Sequence, residues 1–406
     1  MKSDSLLLAN IGQLLTMTGD GLGIVENAWV QIEEGRVSDV GQVDSRFQVS
    51  DSEVVDCRGC VVLPGFVDPH THLVFGGWRA HEFEQRLLGK TYKEIAQTGG
   101  GILFTVKATR AASEDELYEH ALARLREMSA WGTTTVEVKS GYGLDTESEL
   151  KMLRVARRLG EAGIATVVPT FMGAHSVPEG LDKPSYVRLV IEQMLPKVAE
   201  DRLARFCDVF CESIAFSPEE TVQILEAGKR YGLLPTVHAD EIDSSGGAEV
   251  AAQVGAVSAS HLLRPSDEGL RQMAEKGVVA VLLPGTCFFL REQHKPPVAR
   301  MRELGITMAL ATDFNPGSCT MLAQPLTLQL VCIHYGLTIV EALRGVTVNA
   351  ARALRLESEI GTIEPGKRAD IVITDVPDYR HLAYRFGHNP CRLVLRHGSI
   401  VNRPAA

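Results

Sequence analysis

Long apolar runs are what this chain most conspicuously lacks. None approaches the roughly 20 consecutive apolar residues that a bilayer-spanning helix needs, so a protein built of such helices is not expected. The N-terminus, MKSDSLLLAN, has neither an extended apolar core nor a small-residue cleavage site. No signal peptide is therefore expected, and the cytoplasm is the expected location. Basic residues are outnumbered, 41 Lys and Arg against 51 Asp and Glu, giving a net charge of -10. That field opposes a polyanion, and nucleic acid is not an expected partner. A small anionic substrate remains compatible, because one local arginine can hold it. Low-complexity segments are missing as well.

Cysteine is sparse, eight in 406 residues, and scattered. In a long intracellular chain these thiols are expected to be reduced. Cys57 and Cys60, with Cys207 and Cys211, would allow a four-thiolate zinc module. The plainer reading is preferred. Val54, Val55, Val61 and Val62 flank the first pair like strand residues, and the second lies in FCDVFC, which reads as a buried strand.

What is present is alternation. Residues 1–60 contain short β-like segments, including AWVQIEEGRVSDVG, which reads as strand, turn, strand. From residue 61 onward eight strand candidates follow: 61–68, 133–140, 164–172, 205–210, 233–238, 256–260, 278–284 and 306–312. Helical patterns separate most of them. In 114–131, Leu117, Ala121, Leu125 and Met128 line one side, and in 146–163 the closing Gly163 supplies a stop. Eight strands with intervening helices predict a (β/α)8 barrel over 61–358. The chain end is β-like again, at 360–376 and 390–403. Pairing residues 1–60 with 359–406 as one small β-sandwich would bury both sets of apolar faces. Gly99 to Ile102, GGGI, is a candidate for mobile backbone.

VDPHTHLVFGG, at 67–77, carries the chemistry. Along a strand Asp68, His70 and His72 share one side. Hydrogen-bonded core histidines would be the plain reading for one His. Two neutral imidazoles aimed at one point favour a metal. Other strand candidates deliver more donors at the same end: His238 ends LLPTVH, His261 follows AVSAS, and Asp313 follows ITMALAT. Barrel enzymes place their chemistry at this end of the strands. Asp313 alone could be a helix cap, but the convergence of four strands is not explained by packing.

PGFVDPHTH, the single histidines ending the fifth and sixth strands, ATDFNPG and IGTIEPGKRADIVI together resemble the amidohydrolase superfamily. That resemblance covers nearly the whole chain. It implies a metal-dependent hydrolase on a (β/α)8 barrel joined to a small β-sandwich made of both chain ends. HTHLVFGGWRAHEFEQR, EVKSGYGLD, FMGAHSVP, HADEI and TDFNPGS narrow it to the branch that opens the imidazolone ring in histidine degradation. The implied substrate is 4-imidazolone-5-propanoate and the product N-formimidoyl-L-glutamate. A homodimer is compatible with this reading. The alternatives are another amidohydrolase reaction, on a nucleobase or a different cyclic amide, and a catalytically dead metal-binding scaffold.

The resemblance implies roles residue by residue. His70, His72, His238 and Asp313 would hold one metal, zinc or iron, which lowers the pKa of its water. Binuclear relatives carry a modified lysine at the end of the fourth strand. Here Cys211 and Glu212 stand there, favouring one metal, although Glu212 keeps a second conceivable. Asp313, His261 and Glu241 would carry the catalytic work. Arg79, Tyr142, His175, Glu241, Asn315, Gly317 and Ser318 would contact the substrate. For Asn315 to Ser318 the plain reading is a turn. Two departures stand out: Ser260 precedes His261 where an acidic residue is expected to orient that histidine, and Trp78 beside Arg79 is bulkier than expected.

Overall fold

The computed structural model describes residues 5–43, 52–90, 94 and 100–402. In chain order the strands are β1 Ser5–Leu15, β2 Ile24–Glu33, β3 Arg36–Gln42, β4 Glu53–Asp56, β5 Val61–Pro64, β6 Phe66–Asp68, β7 Thr133–Lys139 and β8 Thr166–Ala174. β9 Phe206–Cys211, β10 Leu234–Ala239, β11 Ser258–His261, β12 Val279–Leu282, β13 Met308–Leu310, β14 Ile371–Thr374, β15 Cys391–Arg396 and β16 Ser399–Asn402 complete them. β6 to β13 pair in sequence order as one eight-stranded parallel sheet. A (β/α)8 barrel is the result. It closes where Thr71 bridges Phe314 in parallel, the His72 amide donates to the Phe314 carbonyl, and the Asp313 amide donates to the His70 carbonyl.

The 61–68 segment is where structure and sequence expectation part. It breaks at Gly65 into two strands in two sheets. β5 pairs antiparallel with β14 and parallel with β1, while β6 opens the barrel beside β7. Gly65 permits the crossing, since an added Cβ would enter the Thr134 side chain. Periodicity could not reveal this, because all of Val61 to Asp68 is buried whichever sheet takes it. β5 thus belongs to the terminal sheet and β6 to the barrel sheet.

The second sheet contains both chain ends. Its path is β16-β15-β14-β5-β1-β2-β3, with β4 added beside β1. AWVQIEEGRVSDVG forms the expected hairpin, its Glu34-Gly35 turn having positive φ at both residues, as two-residue hairpin turns prefer. Residues 360–370 do not extend the β14 strand. They wind along the N-terminal hairpin, with Ile363 donating to Thr16 and Ala369 to Gly35. Leu8, Leu14, Val30, Ile32, Val62, Ile371 and Leu395 pack as this sheet's core.

Helix boundaries follow local chemistry. Glu114–Ala130 begins in a capping box of Ser113 and Glu116 and buries Leu117, Ala121, Leu125 and Met128. Thr146–Glu161 is capped by Asp145. Of the GGGI stretch, Gly99 lies outside the described residues, and Gly101 leads into the helix Ile102–Ala111. No helix among the described residues is long and apolar enough to cross a membrane. Cys57 sits in the core of the terminal sheet, whereas Cys207 and Cys211 sit in the barrel core, so the four-thiolate module does not form.

Candidate active site and metal centre

The C-terminal ends of the barrel strands bring His70, His72, His238, His261 and Asp313 together, all buried. Ring centroids lie 4.4 Å apart for His70 and His238, 5.5 Å for His70 and His72, and 5.4 Å for His238 and His261. Among the described residues one group of three or more His, Cys, Asp or Glu donors can hold a metal ion: His70, His72 and His238, whose donor atoms lie within 4.8 Å of one another. Asp313 Oδ1 is 3.4 Å from His70 Nε2 and 3.8 Å from His72 Nε2.

Unsatisfied atoms test whether a metal fits. His70 Nε2 and His238 Nε2 are buried with no hydrogen-bond partner in the protein. An unpaired buried nitrogen costs roughly 1–3 kcal/mol, and two converging on one point ask for a shared partner. Three imidazoles beside a carboxylate form a donor set that suits a divalent metal.

Charge states agree. Burial first, and the Lys139 ammonium next, hold His70 well below its ordinary pKa. Burial does the same for His72 and His261. Neutral imidazoles are the form that binds metal. Burial pushes the Asp313 carboxyl up to about 7 against the hydrogen bond from Thr286. Burial and then the charges of Asp313 and Glu212 push Glu241 up to about 8. Asp240, His261 and Asp313 also adopt positive φ at the barrel mouth. Such strain in non-glycine residues is a common mark of a functional site.

Neighbouring groups hold these side chains. His238 Nδ1 lies 2.8 Å from Asp208 Oδ1, and Asp208 Oδ2 receives Lys139 Nζ at 2.8 Å and Thr236 Oγ1 at 2.9 Å. Thr286 Oγ1 donates to Asp313 Oδ2. Ser260 hydrogen-bonds His70 Nδ1 at 2.8 Å, so it serves a different histidine from the one its sequence position suggested. Neighbours in sequence need not share a partner: Ser260 and His261 point to different side chains. Glu212 takes hydrogen bonds from the amides of Glu241, Ile242 and Asp243 and from the Ser245 hydroxyl. Its carboxylate shapes the loop after β10. Asp68 likewise joins the barrel seam, accepting from the Thr312 amide and hydroxyl, and does not share the histidines' target.

The remaining residues line the mouth. The ring of His175 stacks on that of His72 at 5.0 Å, and its Nδ1 lies 3.1 Å from the Gly141 carbonyl. Tyr142, nearly buried, places its ring 5.6 Å from His72 and 5.3 Å from His175. Glu241 Oε2 is 3.6 Å from His261 Nε2. The Arg79 guanidinium lies directly over Gly317, and its Nε is buried without a partner. Asn315 is committed within its turn, its Oδ1 accepting from the Gly317 and Ser318 amides and its Nδ2 donating to Ser318 Oγ. Trp78 has a packing role: its ring meets Phe75 and Phe314, with the Arg124 guanidinium 5.0 Å away.

Sequence reasoning missed Glu137, Lys139, Asp208 and Thr286. A signal existed for the first three. Charged residues stand inside the apolar strands TTTVEVK and FCDVFC, where alternation turns them inward.

Comparison with known proteins gives a consistent picture. The model of the amidohydrolase family matches residues 61–401. A protein of Geobacillus sp. (strain WCH70) named imidazolonepropionase is 50% identical over 414 residues, covering 98% of this chain and 97% of that one. One of the same name from Brevibacillus brevis is 49% identical, covering 94% and 91%. Among solved structures, a triazine hydrolase variant superposes with a TM-score of 0.77 at 19% identity, covering 99% of this chain and 95% of that one. A 5-methylcytosine deaminase from Klebsiella pneumoniae does so with a TM-score of 0.74 at 19% identity, over 99% and 98%. At such identities these structures speak for the fold alone.

Proposed function

The chain belongs to the amidohydrolase family, and from that premise we propose that it hydrolyses a cyclic amide, opening 4-imidazolone-5-propanoate to N-formimidoyl-L-glutamate. The observation that carries this is the convergence of His70, His72, His238 and Asp313 on one point, with Arg79 on the rim of the same mouth. Its relatives' shared name supports the substrate.

His70, His72, His238 and Asp313 would hold one zinc or iron ion. When bound, such a metal lowers the pKa of water and polarises a carbonyl. The chain's own residues supply the rest. Arg79 offers a guanidinium fork to the propionate carboxylate. Tyr142 and His175 bound the ring, and the Asn315 to Ser318 turn meets the amino-acid end. Water adds across the amide C–N bond, so one proton must travel from the water to the leaving ring nitrogen. Asp313 is the base placed to take it and return it, with Oδ2 steadied by Thr286. His261 faces the same point and stabilises the developing oxyanion. Glu241, 3.6 Å from His261 Nε2, connects that imidazole to the proton path.

Product identification tests the reading. Metal-loaded protein is given freshly made 4-imidazolone-5-propanoate and the mixture is analysed by mass spectrometry. Formation of N-formimidoyl-L-glutamate above the spontaneous background, lost on chelation, is the expected result. No such product from folded, metal-replete protein would leave the family and overturn the substrate.

A further inference from the structure

The three histidines are not held alike. The Nδ1 of His238 faces a carboxylate, that of His70 faces a neutral hydroxyl, and that of His72 is buried with no partner in the protein. A hydroxyl donates or accepts, so Ser260 leaves the proton of His70 free to sit on either nitrogen. A carboxylate ringed by donors only accepts. Asp208 is ringed in this way, with Lys139, Thr236 and His238 around its two oxygens. Its contact with His238 therefore puts the ring proton on Nδ1 and leaves the lone pair on the unpartnered Nε2.

Lys139 does more than complete Asp208. Its Nζ also reaches Glu137 Oε1 at 2.7 Å. Glu137 in turn holds Thr71, the residue between His70 and His72. Its Oε2 accepts from the Thr71 amide at 3.2 Å, and its carbonyl accepts from Thr71 Oγ1 at 2.6 Å. The Lys139 amide donates to the Thr71 carbonyl at 3.0 Å. Lys139, Glu137 and Asp208 are almost fully buried, with side chains 3%, 3% and 0% exposed. Burying three charges is costly, and a purely packed barrel interior would do as well for stability. The geometry thus suggests a use beyond holding the fold.

We propose that Lys139 is a positioning residue for the metal site: it ties Glu137, which holds the His70 to His72 segment, to Asp208, which orients His238. One ammonium group then sets both the spacing of the two ligand-bearing strands and the direction of the His238 lone pair. This inference rests on the metal-site reading above.

Two measurements test it. The first is zinc affinity by competition with a chromophoric chelator, on wild type, Lys139→Met, Asp208→Asn, Thr236→Val and Ser260→Ala. Lys139→Met and Asp208→Asn are expected to weaken zinc binding about tenfold to a hundredfold. Thr236→Val should weaken it several-fold, and Ser260→Ala least. The second needs no metal. In metal-free protein labelled with 15N-histidine, wild-type His238 should show the Nδ1–H tautomer, and Lys139→Met and Asp208→Asn a mixture. A role confined to packing would not move the tautomer. If Lys139→Met does not fold, Asp208→Asn and Thr236→Val carry the comparison. Unchanged zinc affinity and tautomer in folded variants, with zinc bound by wild type, overturns the role of Lys139 alone. Failure of wild type to bind zinc, iron or any other metal overturns the metal site and this inference together.

Discussion

Gly317 forms the seat of Arg79: a Cβ built at residue 317 would fall inside the guanidinium group. The Gly317 carbonyl also accepts from Arg86 Nη2 at 3.1 Å, so the turn cannot easily shift away. Asn315 fixes the turn from within. The glycine in NPGS is therefore needed by the neighbouring arginine and not by its own backbone, whose φ lies outside the left-handed region.

Gly317→Ala should displace Arg79 and impair capture of the substrate carboxylate. KM is expected to rise about tenfold or more with a smaller change in kcat, the signature of lost ground-state binding. Steady-state kinetics beside Arg79→Met checks this. A KM within twofold of wild type would sink the idea.

Glu241 has a carboxyl raised to about 8 by burial and by its neighbours Asp313 and Glu212. A bound cation will lower that value, so the limb should appear at or below it. As a base Glu241 works only when ionised, so the rate falls as the pH drops through its pKa. Glu241→Gln should remove that limb from the kcat/KM profile and reduce the rate by about a hundredfold or more. An unchanged profile excludes Glu241 from proton transfer.

Metal removal should lower thermal stability, because an ion bound only by the folded chain stabilises it by mass action. Chelation is expected to reduce Tm by several degrees in wild type and by nothing measurable in the His70→Ala, His72→Ala double variant. Metal content of the double variant should fall to background, whereas Cys57→Ser with Cys207→Ser should retain it. Retention by the histidine variant would place the metal elsewhere.

Away from the mouth, Glu341 closes a capping box with Thr338 and pairs with Arg302 at 2.6 Å. The Arg302 hydrogen bond, opposed by partial burial, holds its carboxyl below the ordinary value of 4.5. A depressed carboxylate contributes stability above its unfolded pKa and loses it as pH falls through the folded one. Glu341→Gln should therefore cost about 1 kcal/mol or less near neutral pH. Thermal melts of the two proteins should converge as the pH is lowered below 4.5. A gap that stays constant across that range would contradict the assignment.

Much of the site is legible in the amino-acid sequence. The histidines and Asp313 stand just past apolar strands, and strand polarity alone sends such residues to one mouth. The eight-strand count and the Ala28 to Gly41 hairpin are equally readable. Gly65 is not, because an apolar run looks the same whether one sheet or two receives it. Residues 360–370 fall in a stretch that reads as β-like, yet their partners lie some 330 residues earlier, as Arg36 and Gly366 illustrate.

Local pattern, then, specified which residues are donors and which end of the barrel they reach, since strand period and polarity are properties of short segments. Pairings between strands were beyond its range. That Ser260 serves His70, that Asp208 serves His238, and that Lys139 joins both halves depend on contacts 190, 30 and 69 residues apart. Such contacts exist only once the barrel has closed and brought the strand ends within hydrogen-bond reach. The residue types could be read from the chain, but the order in which they hold one another is a property of the closed barrel.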